Sequence, residues 1–276
     1  MQLPFSVPRT RDLTDTDNDT LPVATRRRNL SQWLGLPIML GLLVFGWQAL
    51  VWIGNYRTFI LPSPGLVLRR FVDAVGSGLL WTHTAATLSE ALGGFVLALV
   101  VGLVLGYILA HTPWLERMLA PVLAASQAIP IVAVAPLIML WWGQGLQAKI
   151  IVAALITFFP ILISTVVAIR SIPKELSEMA RISGASRWQM LHYVEIPLSL
   201  PVLFGGIRTG LALATTGAVV GEFVGGRNGL GALINIARGL FDTPLIFVAL
   251  FSLASLTLTF YLIATTLERV LVRWEY

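Results

Sequence analysis

The segment EMARISGASRWQMLHYVEIP, from Glu178 to Pro197, is polar and charged, although the runs on both sides of it are among the most apolar of the chain. Those surroundings decide the fold class. The 276 residues are 56% hydrophobic and only 12% charged, with a mean hydropathy of +0.80. A soluble domain of this length cannot bury so much apolar surface, so the sequence predicts a protein that uses the bilayer as its solvent.

Six apolar runs follow one another with short gaps, each close to the roughly 20 residues that cross a bilayer as a helix. They are Trp33–Ile53, Leu88–Ala110, Leu119–Trp142, Ala148–Ile169, Leu200–Val224 and Leu245–Val270. We therefore predict an all-α, polytopic membrane protein with six transmembrane helices. The first run begins too far into the chain and runs too long for a cleavable signal peptide, so we expect it to remain as an anchor.

The positions of Lys and Arg predict the orientation. Thirteen of them lie on the side that would hold both termini and the polar segment, and six lie on the opposite side, so we expect both termini to be cytoplasmic. The formal charge of +5 then reflects membrane topology and gives no reason to expect a nucleic acid partner. The predicted organisation is a disordered cytoplasmic tail (1–29), a first transmembrane helix (30–60), an extracytoplasmic connection (61–87), a transmembrane domain (88–270) and a cytoplasmic C-terminus (271–276).

Residues 173–196, which we call the elbow, carry signals for two short helices. The initial proline suits the first turn of a helix, and Gly184 offers the left-handed residue that ends one. Ser186 and Gln189 then have the form of a capping box, and Pro197 is expected to end the second helix. Helices this short need a surface to dock on, either the spans or another protein. An amphipathic loop at the lipid surface is the alternative.

The elbow also carries a recognisable motif. Glu, Met and Ala at 178–180 are followed after three residues by Gly184, and after nine more by Val, Glu, Ile and Pro at 194–197. This resembles the EAA motif of ABC importer permeases, Glu-Ala-Ala, three residues, Gly, nine residues, Ile-x-Leu-Pro, with apolar replacements at three positions. In that family the motif is a cytoplasmic helix-turn-helix that docks in a groove of the ATPase subunit. The resemblance implies ATPase coupling by Glu178, Met179, Ala180, Gly184, Ile196 and Pro197.

The resemblance covers roughly residues 61–274. LPSPGLV (61–67) and AIPIVAVAPLIMLWWGQG (128–145) are similar to the permeases of nitrate, sulfonate, taurine and bicarbonate importers, which are type I importers. GEFVGGRNGLGALI (221–234), followed by DTPLIF (242–247), is more similar to the members for pyrimidine precursors of thiamine or for riboflavin. The resemblance implies an ATP-driven importer for a small polar solute.

That resemblance also implies partners. An importer of this kind has two permease halves, so we expect a second copy of this chain or a related one, with a homodimer as the simpler case. ABC ATPase subunits and a periplasmic or lipid-anchored substrate-binding protein would complete it in the bacterial cytoplasmic (inner) membrane. The chain has no G-x-x-x-x-G-K-[ST] phosphate loop, so ATP would be bound by the separate ATPase and not by this transport subunit. We expect no cofactor and no enzyme activity in this chain.

Other chemistry is not indicated. His83, His111 and His192 are scattered beside the spans without ligand spacing, so we expect surface histidines and no metal site or catalytic residue. The glycines of GGRNGLG (225–231) follow no buried strand, so they indicate a tight extracytoplasmic loop and not a dinucleotide site. A secondary transporter driven by an ion gradient is the competing hypothesis, but the chain shows neither an internal repeat nor a central carboxylate cluster.

The third run has features of a translocation pathway. Pro121, Pro130 and Pro136 interrupt it and free backbone carbonyls, which is tolerated beside protein or a water-filled cavity, and Gln127 lies among them. We therefore assign Gln127, Pro130 and Pro136 to the pathway. The alternative is that the prolines only curve a packed helix.

Two carboxylates lie within the apolar runs. Glu222, near the end of the fifth run, should face the bundle interior, water or a partner such as Arg227. We include it among the pathway residues, with structural pairing as the favoured role. Glu90, near the start of the second run, is expected at the lipid headgroups.

Glycines recur at four-residue spacing, at Gly102 and Gly106 and again at Gly217, Gly221 and Gly225. Such spacing lets helix backbones approach closely. It serves packing within one subunit and a seam between two subunits equally well.

Overall fold

The structure is a computed structural model that describes residues 30–272 of the chain, and the predicted tail (1–29) and the last four residues lie outside that range. The described residues contain eleven α-helices, one π-helical turn and no strand. The helices are α1 (Leu30–Gly54), α2 (Pro64–Gly76), α3 (Leu79–His111), α4 (Pro113–Ala128), α5 (Ile131–Trp142), α6 (Leu146–Arg170), α7 (Lys174–Ile182), α8 (Arg187–Met190), α9 (Ile196–Gly225), α10 (Leu230–Gly239) and α11 (Thr243–Leu271), with the π turn at Leu191–Glu195 between α8 and α9.

Five helical stretches are long and apolar enough to cross a membrane: α1, α3, α6, the continuous stretch from α8 through α9, and α11. A sixth span is formed if α4 and α5, which are bent by 92° at their junction, are taken together. The prediction of an all-α polytopic membrane protein is thus confirmed.

The predicted third span is not a single helix. Its break lies where Ile129 adopts an extended conformation (φ −81°, ψ 117°) just before Pro130. The ring of a proline disfavours the helical conformation of the residue before it, which explains the break. Pro121 and Pro136 lie inside α4 and α5, so of the three prolines only Pro130 interrupts the helix.

The chain divides into two compact units between Gly46 and Trp47. The described part of the first unit is the beginning of α1, whose side chains are exposed from residue 37 through residue 45. The packing described below belongs to the second unit.

Glycines allow α3, α6 and α9 to pack closely within this unit. A Cβ atom at Gly102 would lie 2.9 Å from Ile161, and one at Gly217 would lie 2.6 Å from the Cα atom of Ala153. Gly221 likewise lies against Lys149. These glycines therefore serve helix packing within the subunit, and the small residues and aromatic rings of the core fill the space between the three helices.

Candidate functional site

The first helix of the elbow ends as the sequence predicts. α7 follows Pro173, and Gly184 has φ +81°, the left-handed conformation that favours glycine. A Cβ atom at Gly184 would meet nothing within 4 Å. The backbone conformation, and not lack of space, is therefore what requires glycine here.

The second helix of the elbow begins as predicted and ends differently. Ser186 Oγ accepts a 3.3 Å hydrogen bond from the Gln189 amide, and the Gln189 side chain accepts one of 2.8 Å from the Ser186 amide, so the capping box is confirmed. The prediction that Pro197 ends the helix is wrong. Pro197 occupies the first turn of α9, directly after the π turn, and the helix continues to Gly225. A proline in a first turn removes no required hydrogen bond, and the π turn changes the bonding pattern just before it.

The elbow exposes large apolar side chains to its surroundings, and we call these side chains together its apolar face. The large side chains of this face are Leu176 (42% exposed), Met179 (65%), Ile182 (87%) and Trp188 (73%). Of the residues predicted to couple to an ATPase, Glu178, Met179, Gly184 and Ile196 are exposed, while Ala180 and Pro197 are half-buried. An exposed apolar surface rimmed by charge on such short helices is typical of a docking site for another protein.

The elbow is also tied to the spans by a residue that the sequence analysis did not identify. Glu195, the last residue of the π turn, is only 7% exposed. Its carboxylate accepts a 2.9 Å hydrogen bond from the Tyr107 hydroxyl and lies 3.0 Å from His111 Nε2, both on α3. Glu195 occupies the unspecified position of the motif, so nothing in the motif pointed to it.

The opposite end of the bundle, which we call the far end, contains a buried ion pair. Lys149 Nζ of α6 donates a 2.6 Å hydrogen bond to Glu90 Oε1 of α3 and a 3.1 Å hydrogen bond to the Asn228 carbonyl. Both side chains are almost completely buried. A cation from another helix thus allows the Glu90 carboxylate to be buried in the bundle, while its predicted depth at the headgroups stays a prediction.

Glu222 lies beside this pair and is fully satisfied by the protein. Its Oε1 accepts a 2.6 Å hydrogen bond from the Thr87 hydroxyl, and its Oε2 accepts one of 2.5 Å from the Gly231 amide. Arg227, its predicted partner, is not bonded to it in the described structure. These contacts favour structural pairing as the role of Glu222, because no oxygen is left without a donor.

The loop between α9 and α10 is held by α3. The Leu230 amide donates a 2.8 Å hydrogen bond to the Thr87 hydroxyl, and His83 Nδ1 lies 2.7 Å from the Gly229 carbonyl. Gly229 has φ +119°, and Glu222 leaves no room for a side chain there. The prediction of surface histidines is wrong for His83, which is 6% exposed because it binds this loop.

A polar cavity of about 520 Å³ lies next to the buried pair. Its polar lining consists of Ser89, Glu90, Gln144, Lys149, Arg227 and Asn228. These residues come from α3, the α5–α6 loop, α6 and the α9–α10 loop, so their sequence positions gave no indication of a common site.

Only two of the four predicted pathway residues line the same cavity. Gln127 and Pro130 line a cavity of about 330 Å³ at the bend between α4 and α5, opposite Phe159 of α6. Pro136 and Glu222 are not among its lining residues. Among the described residues, no group of His, Asp and Glu could hold a metal ion.

Comparison with known proteins places these features in context. The sequence model of the binding-protein-dependent transport system inner membrane component matches residues 98–274. The riboflavin transport system permease protein RibX of Chloroflexus aurantiacus is 71% identical, over 93% of this chain and 98% of that protein. The formylaminopyrimidine transport permease protein ThiX of Halalkalibacterium halodurans is 34% identical, over 79% of this chain and 87% of its own length.

More distant relatives extend the comparison. The putative aliphatic sulfonates transport permease protein SsuC of Bacillus subtilis is 31% identical, over 88% of each chain. Among solved structures, the inward-facing MetNI methionine ABC transporter matches with a TM-score of 0.60 and 23% identity, over 67% of this chain and 93% of that chain. This last match concerns the fold alone.

Proposed function

This chain belongs to the family of binding-protein-dependent transport system inner membrane components, and from that premise we propose that it carries riboflavin as the permease subunit of an ATP-driven ABC importer. The solute assignment is supported by the 71% identity to a riboflavin permease, which far exceeds the 31% and 37% identities to two sulfonate permeases. A formylaminopyrimidine permease, at 34%, is no more similar to this chain than the sulfonate permeases are. Formylaminopyrimidines and sulfonates are also small and polar. The proposal therefore concerns which solute is selected by an ABC importer of this kind.

The exposed apolar face of the elbow is the observation that supports coupling of transport to ATP hydrolysis. Met179, Ile182 and Trp188 would insert into the ATPase subunit, with Glu178 at the rim, and Gly184 would set the angle between the two helices. ATP would be bound and hydrolysed by that separate chain. This subunit would change between outward-facing and inward-facing states without covalent chemistry.

The complete importer would contain a second permease copy, most simply an identical one, and a periplasmic or lipid-anchored binding protein at the far end. Both termini would lie in the cytoplasm, in the inner membrane of a bacterium, with residues 61–87 outside and 88–270 forming the transmembrane domain. Gln127 and Pro130, which share the cavity at the α4–α5 bend, are proposed to line the pathway.

Co-purification with the cognate ATPase tests the elbow. Wild type should retain the ATPase in detergent, while Glu178→Arg and Gly184→Pro should lose it, because one alters the docking rim and the other the turn. Glu175→Arg is the matched control, since it makes the same charge change on the same helix away from the motif. If all the variants retain the ATPase equally, the elbow is an interfacial loop and the coupling proposal is wrong.

Uptake by a riboflavin-requiring bacterium tests the solute. Cells that express the permease with its ATPase and binding protein should accumulate labelled riboflavin in an ATP-dependent way. Taurine should not compete. Uptake of taurine in place of riboflavin would overturn the solute assignment while leaving the assignment as an importer intact.

A further inference from the structure

The polar cavity at the far end has the size of a small-molecule site. Its volume of about 520 Å³ lies within the range of ligand pockets, roughly 300 to 1,000 Å³. One wall is the buried pair of Glu90 and Lys149, and the rest of the polar lining includes Arg227, Asn228 and Gln144, which are exposed. Buried charges in a membrane protein are costly, which makes this pair a candidate for a functional role.

At this wall, one donor of Lys149 and one acceptor of Glu90 have no hydrogen-bond partner among the described residues. A lysine ammonium has three N–H donors, and Lys149 uses two of them, on Glu90 and on the Asn228 carbonyl. Glu90 Oε2 is buried and has no hydrogen-bond partner in the described part of the chain. A ligand that supplies one donor and one acceptor would satisfy both groups, with a rotation of the Glu90 side chain that brings the enclosed Oε2 to the cavity.

The buried pair makes this wall neutral overall, while Arg227 adds one positive charge to the lining. Lys149 and Glu90 neutralise each other, and an anionic head group would be repelled by the unpaired oxygen of Glu90. Arg227 forms no ion pair within residues 30–272, so its guanidinium is available to donate to carbonyl oxygens of the same ligand. The walls therefore suit a group with one N–H between two carbonyls.

We propose that this cavity is a solute-binding subsite for the imide edge of a neutral heterocycle, in which the ring N–H donates to Glu90 and the flanking carbonyls accept from Lys149 and Arg227. Riboflavin has such an edge, the C2=O, N3–H, C4=O side of its ring, whereas a sulfonate offers only acceptors. The proposal deepens the proposed function and rests on it. It makes the permease itself, and not the binding protein alone, selective for the solute.

The test compares binding and uptake. Riboflavin binding to the full-length permease in lipid nanodiscs is measured by flavin fluorescence, and the KM of uptake is measured in cells that also express the ATPase and binding protein. Arg227→Ala should raise both the Kd and the KM by about tenfold or more, and Gln144→Ala by a smaller factor, because hydrogen bonds from charged groups contribute more than neutral ones. Arg238→Ala is the matched control, since Arg238 is also an exposed arginine but lies outside the cavity.

A chemical variant of the ligand tests the donor directly. 3-Methylriboflavin lacks only the imide N–H and should bind to the nanodisc permease at least tenfold more weakly than riboflavin. If riboflavin is transported but its methylated form binds equally well, or if Arg227→Ala behaves like Arg238→Ala, the subsite is wrong. If wild-type cells take up no riboflavin at all, the solute assignment has failed instead, and the two failures are thus distinguishable.

Discussion

The Tyr107 hydroxyl of α3 donates a 2.9 Å hydrogen bond to Glu195, the last residue of the π turn in the elbow. His111, one turn further along α3, approaches the other carboxylate oxygen at 3.0 Å. The bond joins residues 88 positions apart in the sequence. A displacement of the elbow by a docked ATPase would therefore act on α3 directly as well as on α9.

We expect Glu195→Ala to separate ATP hydrolysis from transport. The docking face of the elbow is unchanged in this variant, so the ATPase should still bind. The link to α3 is lost, and riboflavin uptake per ATP hydrolysed in proteoliposomes should fall about tenfold, corresponding to the one to two hydrogen bonds removed.

Tyr193→Phe is the control for this experiment, because Tyr193 lies in the same π turn but is 72% exposed. Glu195→Gln keeps an acceptor for Tyr107 and should recover part of the coupling. Equal losses of ATPase activity and uptake in Glu195→Ala would mean that the residue only stabilises the fold.

Gly184→Ala should weaken assembly with the ATPase without reducing expression. A non-glycine residue at φ +81° costs about 1 to 2 kcal/mol, so the elbow would shift toward another angle. The expected result is a Kd for the ATPase that is raised about tenfold. Gly205→Ala, at an open position in α9, should bind the ATPase normally. A similar Kd for both variants would show that the left-handed turn is not needed for docking.

Lys149→Met should destabilise the far end strongly, because it leaves Glu90 as an uncompensated buried charge. Breaking a buried pair in this way costs about 3 to 5 kcal/mol. Thermal unfolding in detergent should show a large decrease in Tm. The double variant Glu90→Gln, Lys149→Met should recover most of the lost stability, because it leaves no buried charge. A double variant with a Tm as low as that of the single one would show that the two residues do not act as a pair.

Gly217→Leu should prevent stable packing of α9 against α6. A Cβ atom there would lie 2.6 Å from the backbone of Ala153, which cannot move aside as a side chain can. We expect a loss of about 3 kcal/mol or more, seen as aggregation on size-exclusion chromatography. Gly205→Leu adds the same side chain to the same helix at an open position and should remain monodisperse.

The local features of the elbow were predictable from sequence, whereas the contacts between helices were not. Gly184 and the Ser186–Gln189 box act through neighbouring residues, so their spacing is sufficient to identify them. Glu90 and Lys149 are 59 residues apart, and their pairing depends on the register of two packed helices. The prediction that Pro197 ends the second helix was wrong because the effect of this proline depends on the π turn before it, which has no recognisable sequence signal.

The continuous helical stretch from Arg187 to Gly225 has a mechanical consequence. Its 39 residues, at 1.5 Å per residue, form a rod of about 58 Å. Pivoting the rod by about 5° at its elbow end would carry its other end through about 5 Å. A displacement of that size would break the 2.6 Å hydrogen bond between Glu222 and Thr87, so α9 cannot pivot alone while this bond holds. Either that bond breaks and releases the loop above it, or α3 swings with α9 as one body.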